Sequence, residues 1–62
     1  MTNQDKAKKV DAALAQLSSY MLSHKLRVDD TSALIAFEAI ENFVFRAPDE
    51  SKARLFDIMT SN

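Results

Sequence analysis

His24 stands one helical turn after Tyr20, and an imidazole beside a phenol is the nearest approach in this chain to an acid–base pair. Catalysis needs more: a nucleophile or a proton donor and acceptor held in a concave site that limits water. The chain has one histidine, one tyrosine and no cysteine. His24 is therefore expected to close a helix, where the negative end of the dipole favours it. Glu38 with Glu41 or Asn42 has the spacing of carboxylate ligands on a helix, but the Glu-x-x-His motif that completes a two-metal carboxylate site in a bundle is missing. The sequence contains no glycine, which rules out a glycine-rich phosphate loop. No enzyme activity, cofactor, metal or small-molecule substrate is expected.

The elements that would position such groups follow from composition. A chain of 62 residues forms one domain at most, and a domain of that size buries only about 60% of the surface its unfolded chain exposes. Disulfides and thiolate metal sites are excluded, so stability must come from oligomerisation or close helix packing. One proline, no glycine and abundant Ala, Leu, Lys and Glu favour helix. The expected fold is all-α, a single helical domain over residues 1–62. It comprises an antiparallel helical hairpin and a short third helix, assembled as a homodimeric bundle.

Three helical segments are expected, over about residues 5–25, 30–46 and 48–59. In the first, Ala7, Val10, Leu14, Leu17 and Met21 alternate at spacings of three and four, the seam of a helix packed on another helix. His24 and Val28 continue that stripe, Ala13 and Tyr20 widen it, and Ala15 and Leu22 fall off it. Lys8, Lys9, Asp11, Gln16 and Ser18 are expected to face solvent. Asp29 or Asp30, followed by Thr31 and Ser32, supplies the oxygen-bearing side chains that cap a helix start. In the second segment the apolar arc from Ile35 round to Phe37 covers about 200°, twice the roughly 100° stripe of a helix lying on one core. One neighbour cannot cover it. Pro48 ends that helix and opens the third, in its first turn, with Asp49 and Glu50 at the positive end of the new dipole. Leu55, Phe56 and Met59 should join the core, and residues 60–62 should fray.

The opening Met1-Thr2-Asn3-Gln4-Asp5-Lys6, the chain length and a hairpin with an acidic bend resemble the small plasmid copy-number Rop proteins, dimeric four-helix bundles that bind paired RNA loops. The resemblance covers those six residues and the general layout. In that family a basic and polar stripe on the first helix, with one exposed aromatic, contacts RNA. Here Val10, Leu14 and Ser18 occupy the corresponding part, only Lys25 is suited to such contact, and Pro48 with its apolar tail departs from the pattern.

Function is therefore sought in protein contacts. Ile35, Ala36, Ala39, Ile40 and Phe43 are the expected homodimer interface. Leu34, Glu38, Glu41 and Phe45, with Tyr20 as a second aromatic anchor, are the expected surface for a different protein. The leading expectation is a small interaction protein, a phage- or plasmid-type regulator or inhibitor that blocks a bacterial host protein. The alternative is a dimeric nucleic-acid-binding regulator, helix-turn-helix-like or Rop-like, using Lys52 and Arg54. A net charge of −1 and basic residues scattered among acids give no long-range attraction for nucleic acid. No apolar run approaches the roughly 18 residues of a membrane span, and a cytoplasmic location is expected.

Overall fold

The computed structural model describes residues 1–24 and 30–61. Three α-helices occupy them: α1, Asn3–Ser23; α2, Thr31–Arg46; and α3, Asp49–Thr60. The expected short bend, with Asp29 as an alternative cap, Val28 on the stripe and Lys25 as an RNA contact, lies outside the described residues.

The helix ends follow local chemistry. Thr2 caps α1, its hydroxyl oxygen accepting the Asp5 amide at 3.1 Å, so the helix begins two residues before the expected Asp5. At the other end His24 takes the cap position, and its amide donates to the Tyr20 carbonyl at 3.1 Å. Asp30 caps α2 by accepting from Ser32 at 2.9 Å and Ala33 at 3.4 Å. Ala47 is extended (φ −70°, ψ 135°) because the ring of the following proline disfavours helical geometry in the residue before it. Pro48 is the N-cap of α3 rather than a residue of its first turn, and it supplies no side-chain hydrogen bond. Asp49 and Glu50 in the first turn face the dipole instead. Thr60, expected to fray, is helical, and its hydroxyl donates to the Phe56 carbonyl at 2.8 Å.

The helix that covers α1 is mainly α3, with α2 approaching α1 more sparsely. Lys6 pairs with Asp57 at 2.7 Å, and Asp11 meets Lys52 at 2.8 Å. A step of five residues up α1 is thus a step of five down α3, so these two helices run antiparallel. With 12 residues, α3 is only about 18 Å long and spans roughly the N-terminal half of α1. The seam is buried where α3 lies on it, at Ala7 and Val10, and opens beyond it, with Leu17 at 45% and Tyr20 at 61% exposure. Leu55 and Phe56 are half-buried, but Met59, expected in the core, is exposed.

Among the described residues one buried side chain is charged. The Lys52 ammonium donates to the Val44 carbonyl at 2.7 Å and lies 2.8 Å from Asp11 Oδ1. Asp11 Oδ1 is itself buried and receives no hydrogen bond of acceptable angle, so its contact with the ammonium is a Coulombic one while the hydrogen bond goes to the carbonyl. The cause is in the sequence. In a continuing helix the Val44 carbonyl would accept from the amide four residues on, but that residue is Pro48, which has no N–H. A carbonyl left without a donor costs about 1–3 kcal/mol when buried. Lys52, one turn into α3, supplies the missing donor, and Asp11 on α1 balances its charge. Lys52→Met keeps most of the packing and removes the donor and the charge, and should lower unfolding stability by about 1–3 kcal/mol in urea titration. In a double-mutant cycle Pro48→Ala, which gives Val44 an amide, should reduce that loss.

Candidate functional site

Between α1 and α2 runs an open groove of about 360 Å³. One wall is built from Asp11, Ala15 and Ser18 of α1, spaced four and three apart and hence on one helix face. The other wall is Phe37, Ile40, Glu41, Val44 and Phe45 of α2. The small Ala15 and Ser18 side chains do not fill the space that the large residues of α2 frame. The groove exists because α2 meets α1 sparsely, while its end is tied down at Val44 through Lys52.

Phe45 is 79% exposed, standing at the lip of the groove, and Ile40, Val44 and Phe37 are half-buried in it. Glu41 lies on the same wall and is exposed, and Glu38, one turn before it, is exposed as well. Neither glutamate makes an ion pair among the described residues. Among the described residues no lysine or arginine lines the groove.

The structure therefore gathers Glu41 and Phe45, two of the residues expected to bind a partner, into one concave surface. Leu34 (39% exposed) and Tyr20 (61% exposed) are outside its lining. Tyr20 stacks on His24 at a ring-centroid distance of 4.0 Å, and His24 Nδ1 is 3.0 Å from the Tyr20 carbonyl oxygen. That arrangement occupies the imidazole at the helix end. Of the residues expected at a dimer interface, Ile35 is 61% exposed and Ala39 is exposed, whereas Ala36, Ile40 and Phe43 are half-buried. Ile40 also belongs to the groove, so the two expected surfaces share an edge.

Lys52, expected on a nucleic-acid surface, is 5% exposed and committed to Val44 and Asp11; a donor needed inside the fold cannot also meet a phosphate. Arg54 is exposed and reaches Glu50 at 3.3 Å, one turn earlier on the same helix. Asp11 and Ser18, expected in solvent, are half-buried groove residues. The signal for them was available: Asp11, Ala15, Ser18 and Leu22 form a second stripe on α1, and Leu22, 59% exposed, carries it beyond the groove lining.

Among the described residues no three His, Cys, Asp or Glu side chains gather as metal ligands, and no helix is long and apolar enough to cross a membrane. Comparison with protein-family models, curated proteins and solved structures finds no match to this chain in any of the three.

Phe45 at the lip and Val10 in the core should separate surface from scaffold. Phe45→Ala is expected to change the unfolding free energy from urea titration by less than about 0.5 kcal/mol, as surface changes usually do. Val10→Ala should cost about 1–3 kcal/mol through lost burial and the cavity left behind.

Proposed function

We propose that this chain is a small non-enzymatic interaction protein that pairs with a second copy through α2 and acts by occupying the surface of a different protein. The observation that carries the reading is how many large apolar side chains one chain leaves uncovered, with Tyr20, Ile35, Phe45 and Ile58 each at least 61% exposed, alongside a large total surface. The solvent-accessible area is 4785 Å². A compact folded chain of 7.0 kDa exposes about 4,000 Å² by the usual size scaling, which leaves an excess of roughly 700 Å². A standard protein interface buries about 800 Å² on each partner. The radius of gyration points the same way, at 12.6 Å against about 10.5 Å for a compact domain of this length.

Charge divides α2 into two kinds of surface. Around the helix, Ile35, Ala39, Phe43 and Ala36 occupy neighbouring positions with no carboxylate between them. That face suits self-association, since a two-fold axis sets each group against its own copy and the alanines allow backbones to come close. An antiparallel hairpin of α1 and α2 in each chain would then give a four-helix core with α3 outside. The face bearing Glu38, Glu41 and Phe45 remains for the other protein, with an aromatic anchor inside an acidic rim. Regulation or inhibition by steric blocking follows from that arrangement, and no catalytic group is required. The nucleic-acid alternative is weakened by the commitment of Lys52 to the fold.

Sedimentation equilibrium tests the pairing. Micromolar protein is expected at twice the 7.0 kDa chain mass, and Ala39→Glu should shift it to the monomer while helical circular dichroism is retained. A wild-type monomer at that concentration would remove the dimer from the proposal.

A further inference from the structure

We infer that the groove between α1 and α2 takes one amphipathic helix from a different protein, a helix that carries lysine or arginine beside its apolar stripe. This deepens the proposed function, because it rests on the reading that the Phe45 face is for a partner, and it names that partner's chemistry.

The dimensions suit a helix. From Phe37 to Phe45 is eight residues, about 12 Å along α2, which is two turns and close to the span of anchors at i, i+4 and i+7. Phe37, Ile40, Val44 and Phe45 give the apolar floor and lip, and the small Ala15 and Ser18 opposite leave room for a backbone to approach. An isolated strand would bring unpaired amides and carbonyls into a groove that presents few backbone groups to receive them, since both walls are helices and the Val44 carbonyl, which lies outside the α2 ladder, is already taken by Lys52. A helix brings none.

Charge selects the sign of the occupant. Glu41 lies in the groove, Glu38 stands one turn away on the same helix, and the Asp11 carboxylate closes the opposite wall with its charge already balanced by Lys52. The two glutamates are without a cation among the described residues, and no lysine or arginine of the lining meets them. Basic side chains flanking an apolar stripe would satisfy both, and long lysine or arginine stems can lie over Phe45 while their heads reach the carboxylates.

A second copy fits the groove less well. Groove against groove across a two-fold would set Glu41 and Glu38 against their own copies, a repulsion with no compensating cation. The carboxylate-free Ile35 face of one chain inserted into the groove of another would be a heterologous contact, which repeats without closing and yields filaments rather than a dimer.

The experiment uses three synthetic helical peptides that share one leucine stripe and differ only in the flanking positions, which are lysine, glutamine or glutamate. Binding to the intact protein is measured by fluorescence anisotropy at low salt, with amide shifts of the protein recorded on titration. The lysine peptide is expected to bind at least about fivefold more tightly than the glutamine peptide, and the glutamate peptide most weakly. The shifts should centre on Ala15, Phe37 and Phe45. Glu38→Gln with Glu41→Gln should abolish the order while retaining helical circular dichroism, and Phe45→Ala should weaken all three peptides. Equal binding of the three peptides, or shifts centred on Ile35 and Ala39, would overturn the basic-helix inference and leave the interaction-protein reading standing. Loss of self-association in Ala15→Glu but not in Ala39→Glu would place a second copy in the groove and overturn it too. A monomer that binds none of the peptides would remove both readings together.

Discussion

The Val44 carbonyl has no backbone donor, because the residue four positions on is Pro48. Everything else about the arrangement of the three helices follows from how that deficit is met. The Lys52 ammonium reaches back 2.7 Å from the carbonyl, and Asp11 of α1 stands 2.8 Å from the same nitrogen. One lysine therefore touches all three helices. It fixes the end of α2 beside α1, and it sets the register in which α3 crosses α1. A lysine is suited to this because its long apolar stem can pass through packed side chains while its head serves a carbonyl and a carboxylate at once. The same group would be costly to bury alone, and it is the pairing with Asp11 that makes its position tolerable.

The rest of the core is small. Among the described residues Ala7, Val10, Ala33 and Ala53 are the buried apolar ones, and three of the four are alanine, which allows helices to approach closely but removes little apolar area from water. The larger side chains sit at the margins: Leu17, Ile35, Phe45, Ile58 and Met59 are exposed to between 45% and 79%. A fold assembled around alanines and one ion pair leaves its aromatic and branched residues outward, where they are available for contacts between molecules. Marginal stability in the single chain and a large apolar exterior are thus two results of one packing choice.

Several features were legible before any coordinates. The three-and-four spacing located α1, Asp30 located the start of α2, and Pro48 located the break before α3, because helix formation, capping and proline geometry depend on residues close together in the chain. The over-wide apolar arc of α2 was legible for the same reason: angular position on a helix is set by residue number alone. Less was legible where the answer depended on distant partners. Lys52 reads as a surface charge until α2 is seen to end before Pro48 with an unsatisfied carbonyl at Val44, and Asp11 reads as solvated until Lys52 is seen to lie beside it.

What the sequence alone determined, then, is the set of helices, the cap that opens α2 and which face of each is apolar, since propensity, capping and periodicity are local properties of the chain. The tertiary structure decided which of those faces is covered. It laid the 12-residue α3 on the N-terminal half of α1, left the far half of the seam open, and paired the second stripe of α1 with α2 as a groove. Local rules cannot choose among those outcomes, because each apolar face is satisfied equally by any neighbour of the right shape. The choice falls to the few contacts that are specific in geometry, and here those are the hydrogen bond and ion pair of Lys52 and the Lys6–Asp57 pair.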